Sequence, residues 1–262
     1  MEPVAALGAA ATVISGAFAL CTLDRWRANR RLHELAWSQS LAMFCLASAA
    51  YWWGAAAGWD GPTFRVFYLF GAILNVAYLA VGTVHLLATP EFAGVVHRAM
   101  HVTAAFCAGV VFVAPLRRPI DATGLPSGRE VFGAVPRTMA AVGSGIGATV
   151  LIGGAVWSAV RLLRPRTSGT PTARVAPARL ALTNAAIAIG SMILGVGGAV
   201  FTGRDAMVAF GVFLTIGVAV LFGGFLISSP APRRTAPSKP PGLSAFGDEL
   251  WDLAQPEPVR NG

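Results

Sequence analysis

Seven apolar runs, each long enough to cross a lipid bilayer, constrain this chain more than any other feature of its sequence. A membrane span needs about 20 predominantly apolar residues. None of the runs contains Asp, Glu or Lys, and their one arginine, Arg161, lies near the end of the fifth. They predict α-helices, because lipid offers no partner to unpaired backbone groups. The runs cover residues 4–23, 35–59, 66–88, 99–116, 138–163, 180–201 and 206–227.

The composition supports the same class. The chain has 262 residues, of which 55% are apolar and 12% are charged. Soluble domains carry about 25% charged residues, so a water-soluble or disordered chain is excluded. The sequence therefore predicts an all-α polytopic membrane protein, with a bundle of seven transmembrane helices in residues 1–227 and the lipid bilayer as its partner.

The arginines predict the orientation of the bundle. The net charge is +8, and nineteen of the twenty cations are arginines that cluster between the apolar runs. Nucleic-acid binding is not expected, because this pattern is typical of cytoplasmic loops. With the N-terminus outside and the C-terminus inside, fourteen cations lie inside and six outside, as the positive-inside rule requires. We expect a multi-pass protein of the plasma membrane.

Two segments fall outside the runs. The 117–137 loop is rich in Pro and Gly and is expected to be ordered over the outer face. Residues 228–262 hold seven prolines and predict a mostly disordered cytoplasmic tail. Within it, an acidic amphipathic box either docks on a protein partner or remains an anchor or plain tail. Its apolar residues are Phe246, Leu250, Trp251 and Leu253.

Small residues at helical spacing predict close helix packing. Helices in lipid approach each other through Gly, Ala and Ser, since lipid provides no hydrophobic drive for their association. The pattern is compatible with packing inside one bundle or with a homo-oligomer. The residues concerned are Gly143, Gly147, Ser191, Gly195, Ala219 and Gly223.

Polar side chains inside the runs are few and uncharged. They either join helices by hydrogen bonds or form the neutral path of a small-solute transporter or channel. They are Gln39, Asn75, Ser144 and Asn184.

The four histidines are predicted at the cytoplasmic end of the membrane. His97 and His101 have an i, i+4 spacing and share a helix face, and a short loop joins their run to that of His85. With His33 they form a candidate cluster for zinc, iron or haem. The alternatives are histidines of the membrane boundary or a pH sensor.

Three stretches resemble a group of uncharacterised actinobacterial integral membrane proteins. They are His33–Trp37, Gly58–Leu87 and Val131–Arg137. The resemblance extends from about Arg25 to Ile227 and implies a plasma-membrane protein, without implying an activity or functional residues.

The expected function is a sensing, scaffolding or accessory role in the membrane, without evident catalytic machinery and with no cofactor evident. The first alternative is a metal- or haem-binding redox protein or enzyme that uses the histidines. The second is a small-solute transporter or channel.

Overall fold

The computed structural model describes residues 3–163, 186, 189–190, 192–194 and 206–228, all within the unit Met1–Ser228. These residues are helical with short connections, and no β-strand occurs among them. The helices are α1 (Pro3–Asn29), α2 (Leu32–Ala57), α3 (Gly61–Phe67), a π-helix (Tyr68–Leu74), α4 (Asn75–Leu87), α5 (Pro90–Val113), α6 (Gly128–Val131), α7 (Ala134–Leu163) and α8 (Ala206–Ser228).

Six helices in the described part of the chain are long and apolar enough to cross a membrane. The third of them joins α3, the π-helix and α4 into one rod. The predicted run at 180–201 falls largely outside the described residues, so the expected count of seven is neither met nor contradicted. The six spans are Pro3–Asn29, Leu32–Ala57, Gly61–Leu87, Pro90–Val113, Ala134–Gly154 and Met207–Leu226. They indicate a multi-pass membrane protein.

Five of the six spans begin earlier than their apolar runs, and the difference is largest for the fourth. The fourth span was expected at 99–116, but α5 begins at Pro90, because proline at a helix start has the required φ and no N–H to satisfy. His97 therefore lies in the interior of α5 rather than at its opening. Helix α2 also begins before its run, at Leu32, and it therefore includes Glu34. The spans were expected to contain no acidic residue, and this helix contains one.

Helices α1 and α2 form a tightly packed antiparallel pair. A Cβ added at Gly8 would lie 2.9 Å from the Cα of Trp52, so the two backbones are nearly in contact. Further along, the Ser38 hydroxyl donates a hydrogen bond to the Ala19 carbonyl at 2.9 Å. Small and hydroxylated residues thus replace bulky apolar ones at this interface.

The predicted GxxxG of α7 packs against the third span. A Cβ added at Gly143 would lie 2.8 Å from the Ile73 carbonyl oxygen, and one at Gly147 would lie 2.9 Å from the Val76 backbone. In this chain, these two glycines therefore serve packing within the bundle. Ile73 belongs to the π-helix. A π-helix is rare, occurs mostly as a single wider turn within an α-helix, and is frequent at functional sites.

Helix α8 packs against α1. The Thr215 hydroxyl donates to the Leu7 carbonyl at 3.0 Å, and the Phe18 ring stacks on Phe222 at 4.9 Å. Ala219 is exposed, and no described atom lies within 4 Å of a Cβ added at Gly223. The other predicted packing pair, Ser191 and Gly195, lies outside the described residues.

A layer of aromatic side chains closes the end of the bundle near α3. Tyr51 is fully buried and donates a hydrogen bond to the Met207 carbonyl at 2.6 Å. The loop after α5 covers this layer, with Phe132 buried against Phe64 at 5.4 Å between ring centroids. Residues 134–137 of the expected outer loop belong to α7 instead.

Candidate functional site

Three helices bring polar side chains together inside the bundle. Gln39 comes from α2, His85 from the last turn of α4, and His97 and His101 from successive turns of α5. We call these four residues the His–Gln cluster. His97 is the eighth residue of α5, about 10 Å along its axis at 1.5 Å per residue.

Continuous hydrogen bonds connect the His–Gln cluster. The Nε2 of His85 lies 3.1 Å from the Nδ1 of His97. The Nε2 of His97 lies 2.9 Å from the Oε1 of Gln39, whose Nε2 is 3.4 Å from the Nε2 of His101. The Nδ1 of His101 lies 2.8 Å from the His97 carbonyl oxygen. The last contact makes His101 part of the same network.

The acceptors fix where each proton lies when the imidazoles are neutral. The amide oxygen of Gln39 only accepts, so the Nε2 of His97 donates and its Nδ1 holds a lone pair. His85 must then donate through Nε2. A backbone carbonyl also only accepts, so His101 donates through Nδ1, and its Nε2 accepts from Gln39. One set of tautomers therefore satisfies all four contacts at once.

The surroundings of the cluster are graded from buried to exposed. His97 is 8% exposed and lies between its two neighbours, with ring centroids 5.1 Å from His85 and 4.9 Å from His101. His101 is exposed, and the Tyr78 ring meets it edge-on at 5.7 Å. The cluster thus has one member shielded by protein and one open to its surroundings.

His33 belongs to the same end of the bundle but not to the network. Its ring packs edge-on against Trp37 at 5.2 Å. The Trp37 indole occupies the space left by the absent side chain of Gly82 on α4. The sequence grouped four histidines, and the structure joins three of them to Gln39.

The predicted metal site lacks a ligand set. Among the described residues, no three His, Cys, Asp or Glu side chains are placed to hold a metal ion. A zinc site requires at least three protein ligands, whereas the hydrogen-bonded ring nitrogens here face one another, Gln39 or the His97 carbonyl oxygen. The geometry of the described residues therefore fits hydrogen bonding and supplies no three-ligand set, and binding of zinc, iron or haem stays a prediction.

Of the other polar residues predicted inside the spans, Asn75 joins two helices and Ser144 bonds within its own helix. The Ser40 hydroxyl lies 2.9 Å from the Asn75 carbonyl oxygen and 2.7 Å from its Oδ1, which connects α2 to the third span. The Ser144 hydroxyl donates to the Ala140 carbonyl of its own helix at 2.6 Å. Asn184 lies outside the described residues. The transporter or channel alternative therefore stays a prediction.

A buried ion pair lies close to the turn between α1 and α2. The Nε of Arg25 donates to the Oε1 of Glu34 at 3.2 Å, and Glu34 is 1% exposed. The Oε2 of Glu34 has no hydrogen-bond partner among the described residues. The Arg25 guanidinium also lies 4.7 Å from the centre of the Phe225 ring on α8. The sequence did not predict this pair. The signal that could have indicated it is Glu34, the acid that directly follows His33.

The remaining predicted residues are in the tail. Phe246, Leu250, Trp251 and Leu253 lie outside the described residues, so partner docking stays a prediction. Comparison of the chain with protein-family models, curated proteins and solved structures gives no match.

Proposed function

We propose that this protein is a multi-pass plasma-membrane protein of the sensing type, and that protonation of the His–Gln cluster is its stimulus. The observation that carries the proposal is the closed set of hydrogen bonds among His85, His97, Gln39 and His101. Histidine changes charge between about pH 5 and 8, so such a network responds to physiological changes in pH.

The network tolerates one added proton but not two on the His85–His97 pair. A single proton can lie on either ring, because a change of tautomer on the other ring keeps a donor facing an acceptor. When both rings are charged, two N–H groups face each other across 3.1 Å and the bond is lost. Repulsion between the charges adds to this loss.

Protonation of His101 breaks a second contact. Its Nε2 accepts from the Gln39 amide, and a proton placed there opposes two donors. His101 is the exposed member of the cluster. We infer that acidification releases α5 from α2, since Gln39 is the residue that joins them through both histidines.

The charged neighbours modulate this response without replacing it. His33 on α2 lies at the same end of the bundle as His85, with its ring packed against Trp37. Arg98 and Glu91 are exposed on α5 itself, and the α4 neighbour of His101 is Tyr78. Glu34, which follows His33 in the sequence, is paired with Arg25.

A sensor is favoured over a proton conductor by the chemistry of Gln39. Imidazoles pass protons by accepting at one nitrogen and releasing from the other, but a carboxamide does not relay protons readily. A proton that reaches His97 from His85 therefore stops at Gln39. The same amide that stops conduction makes the position of α5 depend on protonation.

Hydrogen exchange of the full-length protein in lipid nanodiscs tests the proposal. After correction for intrinsic exchange rates, lowering the pH from 8 to 5.5 is expected to increase deuterium uptake in residues 90–101. The double variant His85→Gln, His101→Gln retains hydrogen-bonding side chains and keeps His97, and we expect it to lose most of this increase.

The matched control is His33→Gln, which removes a histidine at the same end of the bundle but outside the network. It should keep the increase in uptake seen in the native protein. Equal uptake at both pH values in the native protein would contradict the proposal, as would an equal loss of the response in the two variants.

A further inference from the structure

The end of α1 and the two residues that join it to α2, together residues 25–31 and called the α1–α2 turn, gather guanidinium groups at one end of the bundle. Three of its four arginines are exposed to solvent, and they lie within a stretch of five residues. From their arrangement we propose that this turn binds the phosphate headgroup of an anionic phospholipid. The three residues that would contact the phosphate are Arg27, Arg30 and Arg31.

Arg30 occupies a backbone conformation that normally favours glycine. Its φ is 55°, and its N–H donates to the Trp26 carbonyl at 2.6 Å, which closes the end of α1. Helices often end with a left-handed residue, but that residue is usually glycine because a Cβ is strained there. A long cationic side chain at this position is not needed to form the turn, which points to a role for the side chain itself.

Trp26 holds the Arg30 side chain in place. The guanidinium carbon lies 5.1 Å from the centre of the indole ring, within the range of a cation–π contact. Tryptophan concentrates where a membrane helix meets the headgroup layer. The contact with Trp26 thus favours a position of the Arg30 guanidinium at the depth of lipid phosphates.

The positive charge of the turn is not balanced by nearby acids. Arg25 is paired with the buried Glu34, so that carboxylate is already engaged. No ion pair joins the three exposed arginines to an acid among the described residues, and Asp24 is the other acid in this part of the chain. The turn thus presents a surplus of cations to an anionic ligand.

A phospholipid fits this surplus better than a soluble ligand. Arginine donates two parallel hydrogen bonds to phosphate oxygens, which makes it suited to headgroup recognition. The turn connects two helices that are long and apolar enough to cross a membrane, which favours a phosphate of the adjacent leaflet. Leu32, which follows the turn, is exposed and available to acyl chains.

The variant Arg30→Gly separates binding from folding. Glycine removes the guanidinium and also the strain at φ 55°, so the unfolding temperature without added lipid should stay the same or rise. We expect the affinity of the detergent-purified full chain for dioleoyl-phosphatidylglycerol to fall about fivefold, the effect of one arginine near a membrane surface. Native mass spectrometry of bound lipid, titrated against dioleoyl-phosphatidylcholine, measures the change.

A matched double variant controls for total charge. Arg27→Gln, Arg31→Gln should weaken phosphatidylglycerol binding further, whereas Arg117→Gln, Arg118→Gln removes two exposed arginines at the other end of the bundle and should not. Equal losses in the two double variants would overturn the proposal. So would native affinity in Arg30→Gly, or equal binding of the two lipids.

Glycerol 3-phosphate distinguishes a lipid from a free phosphate ligand. Competition by this soluble phosphate at concentrations similar to those of the lipid would show that the acyl chains contribute nothing, and the lipid would then be the wrong ligand. Weak competition, at a large excess only, is expected for a site that lies in the headgroup layer.

Discussion

Single polar side chains cap and connect the apolar helices of this protein. Asp60 shows the effect in its simplest form, because it caps the N-terminus of α3 by accepting a hydrogen bond from the Thr63 N–H at 2.8 Å. Contacts with the side chain and the backbone N–H of Thr63 hold the pKa of the Asp60 carboxyl below its usual value of 3.8. The ionised form is therefore stabilised by folding.

We expect Asp60→Ala to lower the free energy of unfolding by about 1 kcal/mol at neutral pH, as for other N-cap residues. A carboxyl with a lowered pKa in the folded state stabilises the protein above its unfolded pKa and stops doing so as the pH falls through the folded value. The difference between native and variant should therefore shrink below about pH 4. Chemical unfolding in detergent at pH 7 and pH 3 measures it.

Asp60→Asn is the control for this prediction. Asparagine caps helices about as well as aspartate but does not titrate. The contribution of the cap should survive in this variant at pH 3. A native-to-alanine difference that stayed constant across this range would show that the charge of Asp60 has no part in the cap.

At the scale of helices, close backbone contact between glycines and a neighbouring helix determines how the helices pack. Gly143 and Gly147 face carbonyl groups of the third span, which cannot move aside as a flexible side chain can. Gly145 lies between them on the same helix, and no described atom lies within 4 Å of a Cβ added there. Substitutions at these glycines therefore distinguish the effect of helix packing on stability from that of helix propensity.

Gly147→Ala should destabilise the bundle by about 1–3 kcal/mol, because the new methyl group collides with the Val76 backbone at 2.9 Å. Gly145→Ala should be neutral or stabilising by up to about 1 kcal/mol, since alanine is the better helix former. Thermal unfolding of both variants in the same detergent compares them. Equal stability of the two would mean that α7 does not pack on the third span through this face.

At the scale of the whole molecule, the orientation in the membrane follows from the distribution of arginines and remains a prediction. The α1–α2 turn and the loop after α5 lie at opposite ends of the first four spans. The positive-inside rule predicts that the turn is cytoplasmic and the loop external.

Labelling of single cysteines in intact cells tests the orientation. In a cysteine-free background, Arg129→Cys in the loop should react with a membrane-impermeant maleimide, and Asn29→Cys in the turn should react only after the cells are permeabilised. Both native residues are exposed, so both sites are accessible to the reagent. The opposite result would reverse the orientation and place the His–Gln cluster toward the outside.

The sequence by itself determined the class of this protein and the approximate positions of five of the six described spans. It did so because crossing a bilayer depends on apolar composition summed over about 20 adjacent residues, which is a local property. The start of α5 was placed nine residues too late, because polar residues continue a helix beyond its apolar run and Pro90 begins it.

Only the tertiary structure decided which polar groups meet. Gln39 and His97 are 58 residues apart in sequence, and their contact depends on how α2, α4 and α5 are rotated about their axes. The burial of Glu34 beside Arg25 likewise depends on where α2 begins and on its packing against α1. Hydropathy carries no information on rotation, so the histidines could be grouped by their end of the membrane but not joined to Gln39.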